Sequence, residues 1–560
     1  MEKIKISNFR KIKETWELDL APITFFTGKN NSGKSSALKA LMVLSDYTNS
    51  TIHFKLDFLG DNSSSHKIEN YSNCINWKNN TKSNISFEYE RYGHLFALVF
   101  SPTLIDKQDY FESGILESLS ILNKQNESKI EFKRQGGESY SLYFNNRFLS
   151  RNNYLNESNE KERLKNTKKT VEKTIEKLEL KTKKELGLSS TLPISSKNLI
   201  MLLGSAMPVV GIALSIAGLS ADYKLKKIDE KTKINLKSEL EKLTKYLVII
   251  NEKIKNINKS IRSATKDVIF SPSFELDKLS QNDLDLNNIF NKILISYFKD
   301  GKEDVGNIDV KDETIKLNTF SEELMDLFQF KVDHLSPHRY NQERLILNEG
   351  TSDDISKLAK KQINKGIKKG SIADEFIIKW MSEFDIGINY EIISIYGQAS
   401  VINVFEEGIE KPINIADKGF GAGQIFTILL KIAQKIDEQK VNLKKYFYFP
   451  EFSHSNQVVI IEEPEANLHP ALQAKLTDLF LDAYTIYGIR FILETHSEYM
   501  IRKSQLLNLE NKCFKLYYFD EEGPYEMEYT KKGGFSRGFG KDFYDVNDNL
   551  ALELVLKANS

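Results

Sequence analysis

The segment FFTGKNNSGKSSALKAL at residues 25–41 constrains the fold of this chain more than any other segment. Gly28, Gly33, Lys34 and Ser35 satisfy the pattern G-x-x-x-x-G-K-[ST], between a strand-like run (ITFF) and a helix-like run (SSALKALMVL). In such a loop the backbone N–H groups surround a phosphate, the lysine contacts its oxygens, and the hydroxyl binds Mg²⁺. The motif predicts an α/β fold with a nucleotide site at a strand end. The alternative is a glycine-rich turn that merely precedes a helix.

Composition excludes several classes of protein. A chain of 560 residues with 40% apolar residues has the length and balance of about three or four globular domains. Lys plus Arg and Asp plus Glu are equal at 78 each, so any attraction to nucleic acid must be regional. Cys74 and Cys513 are far apart and lack histidines at ligand spacing, which argues against a disulfide framework or a zinc site. The first residues lack the apolar core of a secretory signal, and a cytoplasmic location is expected.

A second motif follows an apolar run in QVVIIEEPEANLHPALQAKL, residues 457–476. Val458 to Ile461 resemble a buried parallel strand, and two carboxylates stand at its carboxyl end, where open α/β sheets bind ligands. We expect Glu462 to bind Mg²⁺ and Glu463 to act as the general base toward the attacking water. Most such strands carry Asp first, so the longer Glu462 is expected to act through a shifted strand or a water. The alternative is a pair of ordinary surface glutamates.

Two further segments complete the set. IRFILETHSEYMIRK, residues 489–503, places His496 just after an apolar strand, where it is expected to sense the γ-phosphate. A lone histidine would more often be packed or solvated. NIADKGFGAGQIF opens an apolar helix with Gly421, Gly423 and Gln424 at its start. A helix N-terminus without a lysine is expected to bind the γ-phosphate held by a second copy of the chain.

A long insertion separates these motifs. Leu236, Leu240, Leu243, Leu247, Ile250, Ile254, Ile257 and Ile261 alternate spacings of four and three, which predicts a coiled-coil seam. Residues 156–190 form a weaker first arm, suited to antiparallel pairing; the alternative is one helix packed on a globular body. Residues 156–190 hold 10 Lys/Arg against 7 Asp/Glu, and residues 222–266 hold 13 Lys/Arg against 6 Asp/Glu. They suit contact with DNA or RNA, although coiled-coil surfaces are often lysine-rich for solubility alone.

The arms enclose an uncharged segment, residues 198–221. Its 24 residues match the roughly 20 that cross a bilayer core, but Pro208 favours two short helices. A single crossing would also put the two arms on opposite sides of a membrane. We expect an apolar tip that packs on itself or on a second copy. Shallow membrane insertion and a docking surface for an effector stay open as alternatives.

Together the motifs resemble the ABC-type ATPase head of RecF, SMC and Rad-type proteins and, more closely, the OLD-like family of bacterial ATPases. ISNFRKIK, EEPEANLHPALQ and ETHSEYMIRK are the specific matches. The resemblance implies a mixed sheet with flanking helices and an inserted antiparallel coiled coil. It implies lobes at residues 1–150 and 271–560 and an insertion at 151–270. The residues implied to bind ATP at the Walker A loop are Gly28, Asn30, Asn31, Ser32, Gly33, Lys34, Ser35 and Ser36. It also implies Lys34, Glu463 and His496 as catalytic, and Ser35 and Glu462 as Mg²⁺ ligands. Residues 420–424 resemble the signature, with Gly421 where the family has serine.

The resemblance further implies a homodimer, or a higher oligomer, with ATP between the heads. OLD nucleases carry a Toprim nuclease domain of about 100 residues, whose metal site needs a glutamate and a D-x-D pair. Neither YYFDEEGPYE nor FYDVNDN supplies that pair, so we expect no nuclease in cis. The expectation is an ATPase subunit of a bacterial antiphage system, like those of PARIS and Septu, with a separate nuclease or toxin effector. Two alternatives are a DNA-repair or chromosome-maintenance ATPase and a membrane-associated ATPase anchored by 198–221.

Overall fold

The computed structural model forms two compact units, Met1–Phe144 with Phe270–Ser560, and Asn145–Ile269. It describes residues 2–76, 78, 84–103, 112–124, 129–145, 151–186, 188, 194–196, 199–200, 230–263, 269–270, 273–275, 285–286, 288–289, 322–347, 353–364, 366–439, 457–540, 550, 553–554 and 556–557.

The strands within these ranges are β1 (Lys3–Ser7), β2 (Trp16–Asp19), β3 (Ile23–Gly28), β4 (Lys55–Leu56), β5 (Ile85–Arg91), β6 (His94–Pro102), β7 (Gly114–Asn123), β8 (Lys129–Gly136), β9 (Ser139–Asn145), β10 (Ile269–Phe270), β11 (Ser273–Glu275), β12 (Val332–Leu335), β13 (Ile346–Leu347), β14 (Asn389–Ile395), β15 (Ala399–Phe405), β16 (Ile413–Asn414), β17 (Val458–Glu462), β18 (Arg490–Glu494), β19 (Phe514–Phe519) and β20 (Pro524–Glu526). The helices are α1 (Lys34–Thr48), α2 (Ser63–His66), α3 (Arg151–Glu185), α4 (Glu230–Ser263), α5 (Asp354–Asn364), α6 (Ile372–Glu383), α7 (Phe420–Gln439), α8 (Pro470–Tyr487) and α9 (Glu498–Asn511).

The strands that precede the predicted nucleotide-binding motifs belong to a six-stranded sheet of the first unit, with the order β12-β17-β18-β3-β19-β20. Neighbours from β12 to β19 are parallel, and only β20 runs antiparallel to its neighbour β19. All six residues of β3 are buried, as expected of a central strand covered on both faces. Because parallel strands end at the same edge, the segments after β3, β12, β17 and β18 meet there.

Two other sheets complete this unit. β1 and β5–β9 belong to a large sheet whose pairings are antiparallel, and β1 and β5 alternate buried and half-exposed residues as a sheet with one core face requires. A smaller sheet joins β13, β15 and β14, and β16 pairs with β15. Helices α5 to α9 share one apolar core with the six-stranded sheet. The expected α/β class, with mixed sheets and flanking helices, is confirmed.

The second unit contains the long helices α3 and α4. Val171 and Ile175 of α3 form a buried apolar cluster with Ile250 of α4. Three residues of the predicted seam on α4, Leu243, Leu247 and Ile254, pack against that cluster, as does Leu164 of α3. The seven-residue apolar pattern of α4 is therefore directed at α3, because each helix leaves one apolar stripe to cover. Antiparallel coiled-coil geometry stays a prediction.

The apolar segment 198–221 lies almost entirely outside the described residues. Only Leu199 and Ile200 belong to them, and Leu199 is buried. Within the described ranges, no helix combines the length and the apolar character needed to cross a membrane.

Candidate nucleotide-binding site

The glycine-rich loop leaves the carboxyl end of β3 and enters α1. Gly28 has φ +130° and lies so close to β19 that a Cβ would be 2.2 Å from the carbonyl oxygen of Phe519. Gly33 has φ +107°, and a Cβ there would be 2.4 Å from the ring of Trp16. Asn31, between them, also adopts a left-handed backbone, with φ 60°. Both glycines are thus required by backbone conformation and by space, as a loop that turns its N–H groups inward demands.

Lys34 lies inside this loop. Its ammonium donates hydrogen bonds to the carbonyls of Gly28 (3.1 Å) and Lys29 (2.9 Å), and it lies 3.8 Å from Glu494. Burial lowers the pKa of Lys34, against the opposing influence of Glu494 and Glu463. The loop therefore holds one desolvated cation where a phosphate would need it.

The other residues of the loop divide by exposure. Ser35 is exposed in the first turn of α1, as a metal-binding hydroxyl requires, and Asn30 and Asn31 are exposed too. Ser32 is buried, and its hydroxyl donates to the carbonyl of Lys29 (2.7 Å). Ser36 is 8% exposed within α1. Ser32 therefore stabilises the conformation of the loop, whereas the hydroxyl of Ser35 is exposed to solvent at the start of the helix.

The Walker B pair stands at the end of β17. Nε2–H of the His334 ring, on β12, donates a hydrogen bond to Oε1 of Glu462 (2.7 Å). Glu463 is exposed and has φ 44°, a left-handed backbone that is uncommon for glutamate. Its N–H donates to the carbonyl of Glu494 (2.7 Å). Strand β17 pairs with β18 in unbroken register as far as Glu462. The expectation that Glu462 acts through a shifted strand or a water stays a prediction.

A third carboxylate, Glu494, ends the neighbouring strand β18. It is 7% exposed, and burial raises its pKa from 4.5 to about 7, reinforced by the negative charge of Glu462 and opposed by Lys34. Its Oε2 has no hydrogen-bond partner among the residues that the structure describes. Burial thus brings the pKa of this carboxyl close to neutral pH, directly beside the loop lysine.

His496 follows β18 by two residues and is exposed. Desolvation lowers its pKa, and the charge of Lys34 acts in the same direction while Glu463 opposes it. The N–H of His496 donates to Glu465 Oε1 (2.7 Å), and burial raises the pKa of Glu465. This bond ties the turn after β17 to the turn after β18. The imidazole is thus placed near both the loop lysine and the Walker B pair.

The signature helix α7 begins directly on these turns. A Cβ on Gly421 would be 3.1 Å from the carbonyl oxygen of Asn467, in the turn between β17 and α8. A Cβ on Gly423 would be 2.2 Å from the ring of Tyr340, so this glycine is required by close packing. Gln424 is fully buried, and neither amide atom has a partner within the described part of the chain. The expected contact of this helix start with a phosphate on a second copy stays a prediction. Because the Gln424 side chain faces the core, that contact would come from backbone N–H groups at the start of α7.

Sequence reasoning missed four residues of the site. His334 and Arg339 lie on and just after β12, and Arg339 donates to the carbonyls of Glu462 and Glu463. Glu494 was seen only as the end of a strand, and Trp16 only as part of the first strands. The segment HLSPHRY, residues 334–340, is the one available signal: with Arg339 it resembles a recurrent segment of the ATPases named above, but no phosphate-binding or metal-binding pattern assigns a role to its members.

The residues present fit a magnesium nucleotide. The Ser35 hydroxyl and the Glu462 carboxylate are the hard oxygen ligands that Mg²⁺ prefers, and it takes its remaining ligands from phosphate and water. The buried, unpartnered Glu494 Oε2 is a further acceptor at the same edge. Over the described ranges, no group of three or more His, Cys, Asp or Glu side chains is placed to hold a metal by itself.

Comparison with known proteins decides the family. The family model described as AAA ATPase domain matches residues 1–501. The chain belongs to this family. The match to the AAA ATPase domain includes every site residue described above. No curated protein matches the sequence.

Several solved structures resemble this AAA ATPase. A Smc head domain with an extended coiled coil, bound to the C-terminal domain of ScpA, from Pyrococcus furiosus, has 11% identity and a TM-score of 0.32. The alignment covers 100% of this chain and 99% of that one. A recombination mediator RecF has 10% identity and a TM-score of 0.28, over 94% of this chain and 98% of that one.

Proposed function

We propose that this AAA ATPase binds ATP with Mg²⁺ at the glycine-rich loop, hydrolyses it, and homodimerises with ATP between two heads. The observation that carries the proposal is the meeting of Lys34, Glu462, Glu463 and His496 at the carboxyl edge of three adjacent parallel strands, β3, β18 and β17. Each group comes from a different segment, and only this edge brings them together. That arrangement suits phosphoryl transfer to water, in which positioning and charge do most of the work.

The chain's own groups have distinct roles in this proposal. Lys34 exchanges its two loop carbonyls for phosphate oxygens, so its ammonium is stabilised before and after binding. Glu463, exposed on its left-handed turn, accepts the proton of the attacking water. His496 donates to the γ-phosphate, and its lowered pKa makes the neutral ring the resting form. Mg²⁺, held by Ser35 and Glu462, supplies charge stabilisation of the phosphoryl oxygens.

The signature helix supplies the reason for a dimer. The start of α7, at Phe420 and Gly421, is half-exposed, and its N–H groups form the positive end of a long helix. Its packing on Asn467 joins it to the turn that follows the Walker B pair. We propose that this end contacts the γ-phosphate bound to a second copy, through backbone N–H groups of Gly421 rather than through the Gln424 side chain.

Replacing the proposed base tests this proposal. Glu463→Gln should bind ATP normally, hydrolyse it about 10²–10⁴-fold more slowly, and accumulate as a dimer with ATP. Lys34→Ala should lose ATP binding. Light scattering with and without ATP, alongside phosphate release, measures both effects. Glu498→Gln, a change of a half-exposed residue at the start of α9, is the matched control and should behave as the wild type. Wild-type turnover in Glu463→Gln would refute the assignment.

We further propose that the protein is an OLD-like sensor or regulator subunit of a bacterial antiphage system, with a separate effector. The support is the sequence resemblance of its motifs to that family. The plating efficiency of phages on cells carrying the gene with its neighbours tests this role. Protection should be lost with Lys34→Ala and kept with Glu498→Gln. Equal protection by both variants, or none by the wild type across a broad phage panel, would contradict it.

The basic helices favour a second candidate function, DNA repair or chromosome maintenance of the RecF or SMC type. Helices α3 and α4 pack through their apolar stripes, and Lys245, Lys253 and Lys255 of α4 are exposed. If they hold a phosphate backbone, affinity for duplex DNA should fall steeply between 50 and 200 mM salt, by about 10-fold or more for several contacts. Replacing Lys245, Lys253 and Lys255 with glutamate should abolish that binding. A DNA affinity that changes neither with salt concentration nor with replacement of these lysines would exclude the second candidate.

A further inference from the structure

Arg339 is one of the largest fully buried side chains among the described residues, at 0% exposure. It follows the edge strand β12 by four residues, in the segment HLSPHRY, to which the sequence alone assigns no chemical role. Burial lowers the pKa of Arg339 to about 10, so it stays charged at neutral pH. A buried charge is costly unless it is hydrogen-bonded, which makes the partners of this guanidinium informative.

The partners are main-chain carbonyls. Nη1 donates to Ser336 (2.8 Å) and to Glu462 (2.8 Å), and Nη2 donates to Glu463. The carbonyls of Glu462 and Glu463 lie on either side of the Glu463 α-carbon. Two nitrogens of one planar guanidinium therefore fix both peptide units that flank this residue. Those two units set its φ and ψ, and with them the direction of its side chain.

Glu463 needs such a restraint. A glutamate at φ 44° is in a sparsely populated region and persists only where its surroundings impose it. The N–H of Glu463 is already held by the Glu494 carbonyl (2.7 Å). With the two carbonyls held by Arg339, the main chain of the proposed base is fixed on both sides by a single core arginine and one neighbouring strand.

The support of Arg339 is itself rigid. The N–H of Ile355 on α5 donates to the Arg339 carbonyl (3.0 Å). Asp354 accepts from the N–H (2.7 Å) and the hydroxyl (2.9 Å) of Ser336, which closes the loop after β12. The next residue, Tyr340, packs its ring on the signature helix at Gly423 and 5.7 Å from the ring of Phe420. The main chain that carries the Arg339 side chain is therefore held in place.

We propose that Arg339 is a positioning residue for hydrolysis: it grips the carbonyls of Glu462 and Glu463 and so aims the Glu463 carboxylate at the attacking water. This rests on the proposed role of Glu463 as the base. Because its guanidinium is fully buried and bonded to main-chain carbonyls, Arg339 acts through the main chain and contributes to the chemical step and not to ATP affinity. Displacement of a catalytic group by about 1 Å costs on the order of 10²-fold in rate.

Arg339→Lys tests the proposal because lysine keeps the charge and loses the planar fork. Single-turnover hydrolysis at saturating ATP should fall about 10- to 100-fold, while ATP affinity, measured by equilibrium dialysis, should stay within about threefold of the wild type. Arg490→Lys is the matched control. Arg490 also has its pKa lowered by burial and donates to a carbonyl, that of Leu20 (2.9 Å), but it lies at the opposite end of β18. It should leave the hydrolysis rate unchanged.

A double variant identifies the route of the effect. If Arg339 acts through Glu463, adding Arg339→Lys to Glu463→Gln should slow hydrolysis no further, since the base is already gone. Rate losses that multiply would overturn the proposal, as would a wild-type rate in Arg339→Lys or an equal loss of affinity and rate. If Arg339→Lys does not fold, Arg339→Gln, which is shorter and also loses the two-nitrogen grip on these carbonyls, carries the same comparison.

The two hypotheses fail differently. Wild-type turnover in Glu463→Gln refutes the base, and the role of Arg339 with it. A slow Glu463→Gln protein beside a wild-type Arg339→Lys protein refutes Arg339 alone.

Discussion

Replacing Glu494 should change the free energy of unfolding by an amount that can be calculated from the structure. Its carboxylate is 7% exposed, 3.8 Å from the ammonium of Lys34, and its Oε2 lacks a hydrogen-bond partner among the described residues. Burial and the charges of Glu462 and Glu463 raise its pKa from 4.5 to about 7, although Lys34 pulls it down. The ionised form is therefore disfavoured in the folded protein before any ligand binds.

The sign of the effect follows from proton binding. Between pH 4.5 and 7 the folded protein holds a proton that the unfolded chain has released, so the free energy of unfolding falls as pH rises through this range. Below about pH 4.5 both states are protonated and the cost is absent. Above about pH 7 both are ionised and the cost is complete. A shift of this size corresponds to about 3 kcal/mol.

Glu494→Gln removes the ionisation and keeps the shape. Without nucleotide or metal, the variant should be more stable than the wild type by up to about 3 kcal/mol at pH 8 and nearly equal to it at pH 5. Urea unfolding of both proteins at the two pH values, followed by tryptophan fluorescence, measures the difference. Glu498→Gln, four residues along the chain, is the matched control. The same stability gain at pH 5 and pH 8 would refute the reasoning, because it would not come from ionisation.

Three further predictions concern packing. Gly28→Ala should abolish ATP binding in a filter-binding assay, because its Cβ would be 2.2 Å from a main-chain oxygen at a φ of +130°. Gly423→Ala should retain ATP binding but weaken ATP-dependent dimerisation at least about tenfold, measured by light scattering, because its Cβ would displace the Tyr340 ring. Gly538→Ala is the control, since a Cβ there would meet no atom within 4 Å. Ile250→Ala should destabilise the pairing of α3 and α4 by about 2–4 kcal/mol, seen as faster amide exchange in both helices, whereas Ile249→Ala, 49% exposed, should not.

Much of the fold near the loop could be predicted from the sequence because its signals are contiguous. A continuous apolar run predicts a strand buried on both faces, and both β3 and β17 are such strands. The seam on α4 predicts a helical partner, and α3 contacts it through Val171 and Ile175. In each case the pattern that specifies the element lies within the element. The physical cause and the visible signal then coincide.

The rest of the site could not be read in this way because its partners are distant in sequence. His334 is separated from Glu462 by 128 residues, and Arg339 from the Glu463 carbonyl by 124. No spacing rule relates them; only the pairing of β12 with β17 does. The burial of Gln424 was missed for a related reason, since the glycines around it predict a helix start but not which side of that helix faces the core. The pKa of Glu494 depends on charges from neighbouring strands.

The edge strand also accounts for the glutamate where most Walker B strands have aspartate. Because β17 and β18 stay in register as far as Glu462 and Glu494, the strand itself supplies no displacement to offset the longer side chain. The extra methylene instead brings Oε1 to within 2.7 Å of the ring of His334, a residue that is 8% exposed on β12. One carboxylate oxygen is thereby fixed by the sheet, and the carboxylate as a whole keeps one defined orientation at the edge where we propose that Mg²⁺ binds. A shorter aspartate would leave that imidazole without its acceptor, so the two residues are best understood as a pair that the pairing of β12 with β17 makes possible.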